Sequence, residues 1–117
     1  MKEHTYKGVV IQGQERGKAL GFSTANIALE DKALSGIYAG RVRIVPEQTL
    51  YTAAVYADQG RGLLEAHLLE FESDLYGKEI EITVEKKIRD SEVFEDDAAL
   101  RAAIASDIKK IRAYFAQ

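Results

Sequence analysis

The chain has 117 residues, of which 46% are hydrophobic and 30% are charged, so it has the length and composition of one folded domain. The formal net charge of −3 argues against a nucleic-acid scaffold, whose surface is usually basic. The absence of cysteine excludes disulfides and thiolate metal sites.

The N-terminus lacks the apolar run of a signal peptide, and no window is long and apolar enough for a membrane span. We therefore expect a single domain over residues 1–117 that is cytoplasmic and has neither a membrane nor a nucleic-acid partner. The sequence leaves the oligomeric state open.

Short β-favouring segments alternate with turns from residue 6 to residue 89. The predicted strands are residues 6–11, 22–29, 36–45, 50–57, 63–71 and 79–89. Pro46, the one proline, ends the third of them. The last strand has the clearest alternation, with charged residues facing solvent and four aliphatic residues facing the core: Ile80, Ile82, Val84 and Ile88.

The end of the chain changes from a two-residue to a helical period. Asp96 and Asp97 can cap the first turn. One apolar stripe follows at helical spacing: Leu100, Ile104, Ile108, Ile111 and Phe115. Six strands followed by one helix predict a mainly β fold, in which about six antiparallel strands form a closed or nearly closed barrel with the helix packed outside.

A glycine-rich basic segment lies between the first two predicted strands. Glycine is used where the backbone must reach positive φ or approach a ligand closely. The segment contains three glycines at four-residue spacing and two basic residues: Gly13, Gly17, Gly21, Arg16 and Lys18. It has the composition of a loop that binds phosphates, and the alternative is an ordinary glycine-rich hairpin.

Thr24 and Asn26 follow this segment and lie two residues apart, so they share one face of a strand. A hydroxyl and an amide oxygen are hard ligands of the kind that Mg²⁺ prefers, and Mg²⁺ keeps part of its shell for substrate phosphates. The pair therefore favours a magnesium–phosphate site, unless residues 22–29 form an ordinary strand.

Glu65 lies in the otherwise apolar strand 63–71, where alternation puts it on one face with Leu63, His67 and Leu69. A carboxylate among apolar neighbours is costly unless it is paired or functional. Glu65 is therefore a candidate general base. The alternative is a surface glutamate on the wet face of an edge strand, and His67 alone has the pattern of a structural histidine.

Four blocks of this sequence resemble the riboflavin kinase family, which also forms the C-terminal half of bacterial bifunctional FAD synthetases. Residues 20–27 read LGFSTANI where the family has LGFPTANI, and residues 36–39 read GIYA where it has GVYA. Residues 65–78 contain EAHLLEF and DLYGK. The last block has Ile88 and Arg89, then Phe94, and then a predicted helix that contains the family's Ile-x-x-Asp motif at residues 104–107.

The resemblance implies ATP-dependent phosphorylation of the ribityl 5′-hydroxyl of riboflavin on a Greek-key barrel. It implies that Thr24 and Asn26 hold Mg²⁺ against the nucleotide phosphates and that Glu65 accepts the hydroxyl proton. Arg89 would lie on a flap that covers the flavin. The glycine-rich segment would fold over the phosphates through Gly13, Arg16, Gly17, Lys18 and Gly21.

The sequence departs from the family pattern at three places. Ser23 replaces a proline, residues 56–62 are shorter than the matching family segment, and Ser91 stands where a glutamate is common. An adenylyltransferase half is not part of the sequence, so FAD synthesis is not expected. These departures leave open a non-catalytic module that binds a flavin or nucleotide, or a barrel that serves only protein–protein contact.

Overall fold

The computed structural model describes residues 4–11, 23–71 and 73–117. In these residues the chain forms six strands and then one helix. The elements are β1 (His4–Val9), β2 (Ser23–Ala28), β3 (Gly36–Ile44), β4 (Leu50–Asp58), β5 (Leu63–Leu68), β6 (Glu79–Arg89) and α1 (Asp97–Phe115).

All six strands belong to one antiparallel sheet in the order β1-β6-β3-β4-β5-β2. A bridge between Ile11 and Asn26 connects the chain after β1 to β2, the opposite edge of the sheet. The sheet is therefore a strongly curved half-barrel whose edges meet at one point. The predicted mainly β architecture with one C-terminal helix is confirmed.

The predicted strand positions agree with the structure, and their ends differ by a few residues. β1 begins two residues before the predicted strand, and β5 ends at Leu68 instead of residue 71. Residues 69–70 form a turn, although the amide of Leu69 still donates to the carbonyl of Thr52 at 3.0 Å. Apolar composition continues past the end of β5 because Leu69 packs against the helix.

The two faces of the sheet pack against different partners. The concave face encloses the main core, with alternate residues of each strand such as Ile27, Val42 and Leu64 buried there. The convex face carries Ala39 and Ala54, whose small side chains allow α1 to lie close to the sheet. Burial on both faces explains why the middle strands are apolar at nearly every position.

The predicted stripe on α1 packs against the convex face, with Ile104, Ile108 and Ile111 buried. Asp96 is the N-cap, and its carboxylate accepts a hydrogen bond of 2.8 Å from the amide of Ala99. The helix is too polar to span a membrane, and no other helix is present in the described part of the chain.

The prediction that Ile88 faces the same core as the rest of β6 is wrong. The pairing of β6 with β3 shifts register between Gly40 and Ala39, which leaves Glu85 as an extra residue. Side chains beyond this bulge change faces, so Ile88 packs with the helix on the convex side. A second shift beside Ile88 leaves Arg89 opposite Ile37.

Candidate active site

Three of the predicted site residues, Asn26, Glu65 and Arg89, lie on one row across the convex face. Cross-strand pairing sets Asn26 of β2 opposite Glu65 of β5, and Glu65 opposite Tyr56 of β4. The row continues through Ile37 of β3 to Arg89 of β6. Paired residues of neighbouring strands are only about 5 Å apart at their Cβ atoms, so a row of this kind forms a continuous surface.

A cavity of about 440 Å³ lies over this row. Its floor is the sheet, and its walls are the turn at residues 58–61, residues 91–94 and the beginning of α1. The volume falls in the range of about 300–1,000 Å³ that is usual for small-molecule sites. Asn26, Glu65, His67 and Arg89 bring polar groups to a lining that also contains aromatic and aliphatic side chains: Ile37, Tyr56, Phe94, Leu100 and Ile104.

Glu65 is buried, with 9% of its surface exposed, and it faces the cavity. Among the described residues, its Oε2 atom has no hydrogen-bond partner. β5 lies between β4 and β2, so the alternative of a surface glutamate on an edge strand does not apply. A buried carboxylate oxygen without a partner is unusual in a folded protein and needs an explanation in terms of a ligand or of function.

His67 lies next to Glu65 on the same face, and its Nε2 atom is 3.3 Å from Oε1 of Glu65. The imidazole is 1% exposed and its ring centroid lies 4.6 Å from that of Tyr56. The sequence pattern indicated a structural histidine, whereas the structure adds His67 and Tyr56 to the lining of the cavity. Glu65 and His67 are two positions apart on one strand, and this spacing was the sequence signal that puts His67 on the same face as Glu65.

Thr24 and Asn26 do share the convex face, as predicted from their spacing. Thr24 is half-buried opposite His67, and Asn26 is buried and lines the cavity. In the described ranges, no group of three or more His, Cys, Asp or Glu side chains could hold a metal ion. Two neutral oxygen ligands suit a Mg²⁺ ion that takes its remaining ligands from nucleotide phosphates and water.

The predicted phosphate-binding segment cannot be compared with the structure. Gly13, Arg16, Gly17, Lys18 and Gly21 all lie outside the described residues.

Arg89 contacts three residues at the edge of the cavity. Its guanidinium donates to both carboxylate oxygens of Asp107 on α1, at 2.8 and 2.9 Å, and to the carbonyl of Asp90 at 3.0 Å. It also stacks over the ring of Phe94 at 5.5 Å from the ring centroid. The hydrogen bonds with Asp107 hold the pKa of Arg89 above its usual value, so the side chain remains charged.

The Arg89–Asp107 pair was not predicted as a contact, although both residues belong to the family blocks. The carboxylate of Asp107 is 1% exposed and lies on the apolar side of α1. The sequence signal was the position of Asp107 beside Ile108 and three residues after Ile104, which puts a charge within the packing face.

The short segment after β4 is a compact turn that forms one wall of the cavity. The side-chain amide of Gln59 donates to the carbonyls of Leu34 and Asp31, and the latter distance is 2.7 Å. The carboxylate of Asp58 accepts from the amide of Arg61 at 3.1 Å. These hydrogen bonds attach the turn to the β2–β3 connection, so a short segment is enough to form this wall of the cavity.

Comparison with known proteins identifies similar sequences and structures. The riboflavin kinase (flavokinase) family model matches residues 1–115. The bifunctional riboflavin kinase/FMN adenylyltransferase of Escherichia coli is 36% identical over 115 residues, which cover 92% of this chain and 37% of the relative. The corresponding protein of Mycoplasma pneumoniae is 34% identical over 116 residues, covering 95% of this chain and 42% of the relative. The chain thus spans less than half of these bifunctional relatives.

Two solved structures resemble the fold. The crystal structure of riboflavin kinase from Trypanosoma brucei has a TM-score of 0.68 and 30% identity, and the match covers all of this chain and 82% of that one. A Streptococcus pneumoniae structure described as a macrolide-efflux protein has a TM-score of 0.74 and 26% identity, covering 92% of this chain and 38% of that one.

Proposed function

Because this chain belongs to the riboflavin kinase family, we propose that it phosphorylates the ribityl 5′-hydroxyl of riboflavin to give FMN, with ATP as the phosphate donor and Mg²⁺ as the metal. The observation that carries the proposal is the carboxylate of Glu65, which is buried against the cavity with Oε2 unpaired in the described structure. A barrel that serves only protein–protein contact gains nothing from this costly arrangement.

In the proposed reaction Glu65 accepts the proton of the 5′-hydroxyl through Oε2. The hydroxyl oxygen forms a bond to the γ-phosphorus while the bond from that phosphorus to the β,γ-bridging oxygen breaks, and ADP leaves with the electron pair. The transition state is stabilised mainly by positioning and charge neutralisation. A carboxylate fixed on an interior strand meets the first requirement, since its backbone is hydrogen-bonded on both sides.

Thr24 and Asn26 are the proposed holders of Mg²⁺, which supplies charge neutralisation to the phosphates when bound. Their support is the shared convex face and the position of Asn26 directly opposite Glu65. The glycine-rich segment is proposed to cover the phosphates through its backbone amides and through Arg16 and Lys18. In this arrangement the residues that would hold the metal and the proposed base lie on neighbouring strands.

The flavin is proposed to occupy the cavity between the sheet and residues 91–94. Tyr56 and Phe94 offer aromatic surface and Ile104 offers aliphatic surface on its walls. Aromatic rings pack favourably on such walls at offset or edge-to-face geometry. Arg89 contributes by holding Phe94 and residue 90 against the helix, which shapes the flap side of the cavity.

The test is incubation of the pure protein with riboflavin, ATP and Mg²⁺, with FMN separated from riboflavin and measured in a single turnover. Glu65→Gln keeps the size of the side chain and removes the proton acceptor, so FMN formation should fall by about 10²–10⁴-fold. Flavin fluorescence quenching should change little. Glu70→Gln is the matched control, because Glu70 is exposed and pairs with Arg112 at the surface at 2.7 Å.

Two outcomes contradict the proposal in different ways. Equal turnover by the parent and Glu65→Gln removes the carboxylate as the base. Absence of FMN with both proteins, together with quenching of flavin fluorescence, supports a non-catalytic binding module instead.

A further inference from the structure

His67 has the burial of a core residue but lacks the hydrogen bonds that a buried imidazole usually makes. It is 1% exposed, and neither Nδ1 nor Nε2 has a hydrogen-bond partner among the described residues. More than about 90% of buried polar groups in folded proteins are hydrogen-bonded. The polar atoms of His67 are therefore present for an interaction that forms in another state of the site.

A carboxylate oxygen lies close to the imidazole. Nε2 of His67 is 3.3 Å from Oε1 of Glu65, which is within hydrogen-bonding distance, although the orientation in this structure does not form the bond. The two residues are two positions apart on β5 and face the same cavity. Catalytic hydrogen bonds are often long in the absence of substrate and tighten when the substrate binds.

Three neighbours surround the imidazole on the convex face. The ring of Tyr56 packs against it at an interplanar angle of 37°, and its cross-strand partners are Thr24 on β2 and Ala54 on β4. These contacts hold the ring close to the carboxylate, with Nε2 3.3 Å from Oε1 of Glu65.

We infer that His67 is a positioning residue for Glu65: its Nε2–H donates to Oε1 of the carboxylate, which leaves Oε2 oriented to accept the proton of the substrate hydroxyl. The inference rests on the proposed role of Glu65 and deepens it, because it assigns different tasks to the two oxygens of the carboxylate. Oε2 is buried and has no hydrogen-bond partner in the described structure, as this division requires.

The expected contribution is to turnover and not to binding. A glutamate side chain has three rotatable bonds, and a displacement of about 1 Å at the reacting atom costs on the order of 10²-fold in rate. Loss of the histidine donor should therefore lower kcat by roughly 10–100-fold. The Michaelis constant for riboflavin should stay within about threefold of the parent value, because His67 acts through Glu65.

The first experiment compares two substitutions of similar size. His67→Gln carries an amide N–H near the position of Nε2, whereas His67→Phe keeps an aromatic ring without a donor. His67→Phe should show the loss in kcat and His67→Gln should recover most of it. In a Glu65→Gln background, His67→Phe should cause no further loss, because residues that act as a unit are not additive. Leu64→Val, buried on the opposite face of β5, controls for lost packing alone.

Three kinetic results overturn the inference: equal losses for His67→Phe and His67→Gln, turnover by His67→Phe at the parent rate, or a full additional loss in the Glu65→Gln background. Turnover by Glu65→Gln itself at the parent rate overturns it as well. The Leu64→Val control, which also loses core packing, should retain the parent kcat. A loss in kcat as large as that of His67→Phe would show that lost packing alone explains the effect.

A second measurement is independent of whether the protein makes FMN. The chain has two histidines, so a His4→Gln variant leaves His67 as the one imidazole in the nitrogen-15 spectrum. With riboflavin and MgADP added, we expect the tautomer with the proton on Nε2, and a shift of that nitrogen signal when Glu65→Gln is introduced. A proton on Nδ1, or a signal that does not respond to Glu65→Gln, overturns the inference even if the parent protein is an active kinase.

Discussion

Removal of Arg89 from its ion pair with Asp107 should strongly destabilise the fold. Its carboxylate is 1% exposed and its guanidinium 20% exposed, and two hydrogen bonds of 2.8 and 2.9 Å join them. Arg89→Met leaves the Asp107 charge buried on the apolar side of α1 without a partner. Removing one member of a buried pair costs about 3–5 kcal/mol, which is a large part of the roughly 5–15 kcal/mol that stabilises a typical domain.

Asp107→Leu should cost less, because the partly exposed Arg89 side chain can turn toward water. Hydrogen bonds to charged groups are each worth about 1.5–3 kcal/mol, and the new apolar contacts with α1 offset part of that loss. The double variant Arg89→Met with Asp107→Leu leaves no buried charge and should be more stable than Arg89→Met alone. Arg89→Lys keeps a charge but loses the two-pronged geometry and should lie between the parent and Arg89→Met.

The assay is urea unfolding followed by circular dichroism at a wavelength that reports α1, with thermal unfolding as a second measurement. A loss of about 3–5 kcal/mol corresponds to a decrease in Tm of roughly 12–20 °C for a domain of this size. A loss below about 1 kcal/mol for Arg89→Met, or a double variant whose loss equals the sum of the two single losses, would refute the reasoning. The first result means that water reaches the pair, and the second that the two charges do not interact.

Three further effects follow from the described contacts. Calorimetry with MgATP should show weaker binding for Thr24→Val and for Asn26→Leu, whereas unchanged affinity in both removes the proposed metal ligands. Asp96→Ala should lower the free energy of unfolding by about 1 kcal/mol through loss of the N-cap, and a neutral result in urea unfolding shows that the cap bond is not formed in solution. The hydrogen bond from Arg43 holds the pKa of Glu81 below its usual value of 4.5. The stability advantage of the parent over Glu81→Gln should therefore be complete above pH 5 and shrink as the pH falls below 4.5, and equal urea midpoints at pH 7 contradict this.

Local patterns in the sequence predicted β6 and α1 most clearly, because each has one apolar face over most of its length. The alternation of Ile80, Ile82 and Val84 and the four-residue spacing of Ile104 and Ile108 reflect burial in the concave core and against the sheet, respectively. Glu65 was identified as a candidate for the same reason, since its charge interrupts an apolar run. The role of Glu65 as the base stays a prediction.

Long-range pairing was beyond the reach of these patterns. β6 has no glycine or proline near Glu85, and Gly40, which lies at the shift on β3, does not show that the extra residue is on β6, so the change of face at Ile88 could not be read from alternation. The contact between Arg89 and Asp107 joins residues 18 positions apart in the chain through the packing of α1. The interior position of β5 could have been suspected, because residues 63–69 are apolar on both faces apart from Glu65 and His67.

The location of β5 inside the sheet has a consequence for time scales. Amides of a strand that is paired on both sides exchange with solvent only when the sheet opens, so Glu65 and His67 are held for nearly the lifetime of the folded state. Residues 90–96 connect β6 to α1 and are not part of the ladder that holds β5. Under the proposed function, we therefore expect changes in residues 90–96 to alter how fast flavin enters and leaves, while Glu65 and His67 keep their positions.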